Sequence, residues 1–167
     1  MSSKVPFVDE VEVFNEAFGK PNNYTPVIPD DKKLTNFVVD FIREETDELA
    51  EAIENKDIVE VLDAICDLLY VAIGNATMVF GLKDKLMDAF NEVQASNMSK
   101  LCKTVEEARE TRDVRSKEHG PCYMRYNQEG QYWVVLRERD DKVMKSVNYF
   151  APNLKQFFTE EELKAIK

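Results

Sequence analysis

At 167 residues the chain has the length of one domain, or of one core with a small appendage. Apolar residues make up 44% of it, which argues against wholesale disorder. The formal net charge of −10 argues against nonspecific binding to DNA, RNA or anionic lipid. A nucleotide stays admissible, because Mg²⁺ bridges phosphate to carboxylate. Cys66, Cys102 and Cys122 are an odd number at wide spacing, with His119 as the single histidine. That pattern speaks against a disulfide scaffold or a structural zinc site and suits a reducing cytoplasm.

Phe7, Val11, Phe14 and Phe18 recur at helical spacing and predict a short first helix closed by Gly19 and Pro21. Pro21, Pro26 and Pro29 mark an irregular connection. From about Asp31 to Ile53, residues Leu34, Val38, Phe41, Ile42, Leu49, Ala52 and Ile53 form one broad apolar stripe. Asn55-Lys56-Asp57 is a turn. The next predicted helix runs from about Ile58 to Phe80, with Gly81 to end it. Its stretch from Val61 to Phe80 is broken by Asp63, Asp67 and Asn75, so it reads as a buried helix and not a membrane span. A third long helix is predicted over 83–96. A fourth starts at Thr104, with a capping partner at Glu107, and is charged enough to be solvated.

The character then changes. Tyr123, Arg125, Gln131, Trp133, Val135, Arg137 and Val143 lie in strand-like stretches separated by turns at 127–130 and at Asp140-Asp141. Residues 120–147 therefore read as a small antiparallel ribbon, followed by a short helix after Thr159. The expected fold is mainly α, a helical bundle over residues 1–118 with a β-ribbon appendage over 119–167. Trp133 and Tyr132 suit ribbon packing better than base stacking. Arg109, Arg112 and Arg115 interleave with Glu106, Glu107, Glu110 and Asp113, which makes a solvated face and no nucleic-acid surface.

The anomaly is the placement of acids. At roughly 100° per residue, Glu45 falls in the middle of the apolar stripe and Glu48 to one side, whereas Glu44 and Glu51 lie toward its polar edge. Glu60, Asp63 and Asp67 line one edge of the following, largely apolar helix. Unpaired charges among Leu, Ile and Val are costly. Two such helices side by side would aim several oxygen ligands into one cleft, and oxygen-only ligation suits Mg²⁺ or Mn²⁺. Two alternatives stand beside this. Glu60 could serve only as the capping partner of Asp57, and Asp63 or Asp67 could pair with an Arg from elsewhere. Gly74 leaves room either for a substrate ring or for close helix packing.

Glu44-Glu45-Thr46-Asp47-Glu48, followed by Glu60-Val61-Leu62-Asp63, resembles the EExxE…ExxD signature of the all-α nucleoside triphosphate pyrophosphohydrolases. That superfamily includes MazG-type enzymes, phosphoribosyl-ATP pyrophosphohydrolase and the dimeric dUTPases. Asp67-Leu68-Leu69-Tyr70 is similar to the DLLY of the phosphoribosyl-ATP branch. Ser96-Asn97-Met98-Ser99-Lys100, preceded by Glu92, resembles a segment after the third helix in MazG-like proteins of bacteria and phages. The likeness covers residues 31–101 and extends loosely to Tyr149-Phe150.

The resemblance implies Mg²⁺ at Glu45, Glu48, Glu60 and Asp63, with Glu44 close by. Asp67 offers a second register in which Asp63 and Asp67 form the pair. It further implies nucleotide contacts from Asn97 and Lys100. The segment Arg139–Lys145, similar to one in the phage branch, adds Lys142 and Lys145 as cations for an anionic substrate. Members cleave a nucleoside triphosphate, ribo- or deoxyribo-, to monophosphate and pyrophosphate. Glu48 is then the expected base, helped by Glu45 and by Lys100, and a homodimer or homotetramer would complete the cleft. A phosphoribosyl-ATP pyrophosphohydrolase and a non-catalytic helical oligomer with buried ion pairs are the rival readings.

Overall fold

The computed structural model describes residues 6–166. The chain groups into two compact units, residues up to 88 together with 156 onward, and residues 89–155. It is mainly α-helical with one two-stranded antiparallel sheet.

The first unit holds α1 (Pro6–Ala17), α2 (Lys32–Glu54), α3 (Ile58–Leu68), a π-helical segment (Leu69–Asn75), α4 (Ala76–Val79), the start of α5 (Lys83–Met98) and α7 (Glu160–Ala165). The Asp31 side chain accepts from Lys33 N–H to start α2, and Asp57 accepts from Val59 and Glu60 N–H to start α3. Asn55, Lys56 and Asp57 make the tight turn between them, so α2 and α3 pack as an antiparallel pair. The predicted helix over 58–80 is present, but its middle departs from α-geometry. Ala76 N–H reaches back five residues to the Val71 carbonyl. Such a wider turn re-aims every side chain after it, and Thr77, Met78 and Val79 become buried.

The first helix forms where its periodicity places it, yet the buried stripe differs. Val8, Val11 and Asn15 are inside, while Phe7, Phe14 and Phe18 are at least 40% exposed. The cause is the neighbour: α1 packs on the π-helical segment. There Gly74 has no Cβ, and one built on it would collide with the Val11 side chain. Gly74 therefore serves close helix packing. Gly81 ends α4 with φ +65, its backbone pressed against the Thr25 carbonyl. Lys83 ties α5 to α1 by pairing with Asp9 and Glu12. Lys85 donates to the Phe157 carbonyl at 2.8 Å and pairs with Glu162 at 3.0 Å, in the capping box of α7.

The reading of 61–80 as a buried helix needs correction. The second half is buried, but Leu62 and Ile65 on α3 are 63% and 42% exposed, as are Ile58 and Val59 before them at 75% and 69%. Only Ala64 of α3 is buried, because α2 covers one narrow face of it. No helix among the described residues is long and apolar enough to cross a membrane.

The second unit carries the rest of α5, α6 (Val105–His119), β1 (Cys122–Asn127) and β2 (Tyr132–Arg137). The strands pair with Cys122 opposite Arg137 and Asn127 opposite Tyr132. Cys102, Ala108, Cys122, Val135 and Met144 form its core, with Met124 and Trp133 packed against it. Trp133 also meets the Tyr126 ring at 5.0 Å, so it packs within the ribbon as expected. α6 is solvated on its charged side only; Ala108 and Thr111 are fully buried against the sheet. Thr104 caps this helix by accepting from Glu107 N–H at 3.1 Å. His119 lies in its last turn, exposed beside Glu118.

Candidate active site

The α2–α3 pair sets the negative charges of Asp63 and Asp67 on α3 near Glu45 on α2. On α2 the buried residues are Val38, Glu45 and Ala52, seven apart, so one carboxylate stands in the row that faces the rest of the unit. Glu45 is only 8% exposed. Its Oε2 is buried and accepts no hydrogen bond. Burial first, and then the negative charges of Asp67, Glu48, Glu44 and Asp63 in that order, push its carboxyl above the ordinary value. Those four side chains are therefore its electrostatic neighbours.

The expectation that several of these acids lie among apolar side chains holds fully for Glu45 alone. Asp67 is half-buried, while Glu48, Glu60 and Asp63 are exposed, because the apolar residues flanking them on α3 are exposed too. Among the described residues, no Arg or Lys pairs with Glu45, Glu48, Glu60, Asp63 or Asp67. The ion-pair alternative for Asp63 or Asp67 therefore finds no cation among the described residues.

Glu60 sits apart from Glu45, one turn into α3, where it lines a cavity of about 400 Å³ with Glu48, Glu51 and Asn55. It does not complete a capping box. The Asp57 N–H that its side chain would bind already donates to the Ala52 carbonyl at 3.0 Å. The carboxylate of Glu60 is left free of that structural task, and Glu48 borders it.

Does a divalent cation fit? The donors are all carboxylate oxygens, one of them buried and without a hydrogen bond, and no cation among the described residues pairs with them. That chemistry matches Mg²⁺ or Mn²⁺. Among the described residues no three acids already converge as a ready ligand group. Magnesium is commonly held by one or two carboxylates with waters and substrate phosphates completing its shell, so an open arrangement is compatible with it.

The sequence reasoning missed a cavity of about 600 Å³ between α1, the start of α2 and the π-helical segment. Phe14, Phe37, Phe41 and Tyr70 line it together with Val71, Asn75, Lys20 and Lys33. Phe41 is one turn before Glu45 on α2, and Tyr70 is one turn after Asp67. The aromatic cavity therefore follows α2 and the π-helical segment that continues α3. Phe37 and Phe41 at i,i+4 were a legible signal, their rings 4.8 Å apart. The contribution of Tyr70 was not legible, because it depends on the π turn.

The remaining predicted residues belong to the second unit. Lys100 Nζ donates to Asn97 Oδ1 at 2.7 Å, with Asn97 exposed and Lys100 half-buried. Lys145 Nζ lies 4.4 Å from the Tyr149 ring centre. Lys142 takes part in the turn through its backbone, donating to Asp140 and accepting from Arg137.

A family model described as phosphoribosyl-ATP pyrophosphohydrolase matches residues 11–97, a span that includes Glu45, Glu48, Glu60, Asp63 and Asp67. An uncharacterised protein, L479 of Acanthamoeba polyphaga mimivirus, is 33% identical over 84 residues, 48% of this chain and 33% of its own. The chain thus aligns with about a third of that relative's length. With more than half of its residues in the family match and the paired acids of α2 and α3 inside it, the chain belongs to the phosphoribosyl-ATP pyrophosphohydrolase family, within the MazG-like all-α superfamily.

Proposed function

We propose that the protein is a Mg²⁺-dependent nucleoside triphosphate pyrophosphohydrolase, converting a ribo- or deoxyribonucleoside triphosphate and water to the monophosphate and pyrophosphate. The observation that carries this reading is Glu45: a buried carboxylate oxygen without a partner, amid four other acids and with no pairing cation among the described residues. Glu45, Glu48, Asp63 and Asp67 would hold the metal, with Glu60 completing the set beside Glu48. Bound there, Mg²⁺ would supply charge neutralisation for the phosphates and a lowered pKa for a water.

The side chains have distinct tasks in this scheme. Glu48, exposed on the cleft side of α2, takes the proton of the attacking water. Glu45, raised in pKa by its surroundings, gains from any cation that lets it ionise. The aromatic cavity receives the nucleobase between Phe14, Phe41 and Tyr70, and Lys20 and Lys33, which also line it, favour the polyphosphate. The family likeness is the support for nucleotide contacts from Asn97, Lys100, Lys142 and Lys145. Water attacks α-phosphorus, the α–β bridging bond breaks, and pyrophosphate leaves with the electron pair.

The exposed apolar row of α3, Ile58, Val59, Leu62 and Ile65, supports a homodimer or homotetramer that covers it. A cytoplasmic setting is part of the same proposal, supported by an odd number of widely spaced cysteines.

A product assay with Mg²⁺ over the common ribo- and deoxyribonucleoside triphosphates tests the reading. Monophosphate plus pyrophosphate is expected; diphosphate plus orthophosphate, or no turnover with any of them, rejects it. Phosphoribosyl-ATP belongs in the panel because the matched family carries that substrate in its description. Turnover of it alone would replace the substrate assignment and keep the chemistry.

A further inference from the structure

The second unit contains a cavity that the hydrolytic reading does not use. It measures about 690 Å³ and lies between the end of α5, the turn before β2 and the segment 148–150. Met98, Leu101, Tyr132 and Phe150 give it apolar and aromatic walls, and Glu107 and Lys103 supply its charged groups. The size is that of a site for a small organic ligand.

Its walls are fixed. The Tyr132 ring lies over the backbone of Gly130, where any Cβ would strike it. Phe150 is pinned at both ends: its N–H donates to Ser99 Oγ at 3.2 Å and its carbonyl accepts from Ser96 Oγ at 2.9 Å. The Glu107 carboxylate is held in turn by the Ser146 hydroxyl at 2.6 Å and by Lys103 N–H at 2.8 Å. Burial opposes its ionisation, but those bonds and one from Asn148 outweigh it and keep its carboxyl below the ordinary value. A carboxylate accepts about four hydrogen bonds, so an acceptor direction remains beside the aromatic walls. Among the described residues no Lys or Arg forms an ion pair with Glu107.

We propose that this cavity binds an amino-substituted planar heterocycle of nucleoside size, stacked against Tyr132 or Phe150 with an N–H edge toward Glu107. Aromatic walls favour a flat π-system without choosing among bases; the anionic acceptor makes the choice. Guanine, adenine and cytosine each offer an exocyclic amine. Uracil flanks its single N–H with two carbonyls, which a carboxylate repels. The residues that line the cavity all belong to the second unit and the ligand needs no metal, so the proposal does not depend on the assignment made for the acids.

Equilibrium dialysis with guanosine, adenosine, cytidine and uridine in EDTA tests the proposal, because chelation withholds the cation that the acidic cleft requires. Saturable binding of at least one amino-bearing nucleoside is expected, with uridine weaker by about tenfold, the scale of one lost hydrogen bond. Ala95→Trp fills the cavity from its rim without removing a contact and should abolish binding while leaving the melting temperature in place. Should that variant fold poorly, Tyr132→Leu should weaken binding by about tenfold through loss of one stacking face. No binding by any of the four, equal binding of uridine, or binding indifferent to a folded cavity variant overturns it. Loss of binding in Glu45→Gln but not in the cavity variants would place the nucleoside in the first unit and also overturn it.

Discussion

The Val11 side chain fills the space that a Cβ on Gly74 would need, and this close approach seats α1 on the π-helical segment. Gly74→Ala should therefore destabilise the protein, although Ala is the better helix former. Overpacking of this kind costs about 1–3 kcal/mol. Urea unfolding of Gly74→Ala, Val11→Ala and the double variant checks it. Alanine at position 11 should restore part of the loss in the double variant, and simple additivity of the two losses would show that the contact is not the cause.

Glu45 gives a pH signature in the absence of metal. Its folded-state pKa lies above the ordinary value of 4.5, so between the two values the folded state binds more protons than the unfolded one. Stability from this group is present below the unfolded pKa and is lost as pH rises through the folded pKa. Glu45→Gln should flatten that decline and be at least as stable as wild type near neutral pH in EDTA. Chemical unfolding from pH 4 upward reads it. A variant that loses stability equally at every pH would mean that Glu45 contributes through packing or an unseen partner.

Arg137 and Asp140 make a local test with the opposite sign. The guanidinium donates to both Asp140 oxygens, at 2.8 and 2.6 Å, and holds that carboxyl at about 2. Stability from this group is present above the unfolded pKa and is lost as pH falls through about 2. Titration of the Asp140 carboxyl by NMR should give the depressed value in wild type and one in the usual range of about 3.9 in Arg137→Gln.

Glu60 separates the two registers of the second acid pair. Its side chain does not cap α3, since the Asp57 N–H is spent on Ala52. Glu60→Gln should therefore leave metal-free stability within about 0.5 kcal/mol of wild type, as surface substitutions do. A weaker response to Mg²⁺ in Asp67→Asn than in this variant would make Asp67 the stronger ligand. That ranking agrees with Asp67 standing first among the charges that act on Glu45.

The helical frame and the acids were legible in the sequence because both rest on local rules. Asp31, Asp57, Thr104 and Thr159 cap where polar residues precede apolar runs, and the 3.6-residue period places Glu45 inside. The hairpin was legible from its turn at 127–130. What escaped depends on neighbours in space. The π turn has no periodic signature in a run that is apolar all round, and it determines how Tyr70 and Asn75 reach the aromatic cavity. The inward face of α1 is set by the gap at Gly74 and not by its own Phe spacing. The exposure of Ile58, Val59 and Leu62 could not be read from hydrophobicity, which reports that a residue should be covered but not by what.

The most direct test of the account is a set of thermal melts of wild type and Asp63→Asn, each with and without Mg²⁺. Asn keeps the size of the side chain and removes its charge. The account predicts that Mg²⁺ raises the melting temperature of wild type and has little effect on Asp63→Asn, whose metal-free fold is intact or more stable because one repelling carboxylate is gone. A large loss of stability in Asp63→Asn that is the same with and without Mg²⁺, of the 3–5 kcal/mol order expected for stranding a buried cation, would contradict it.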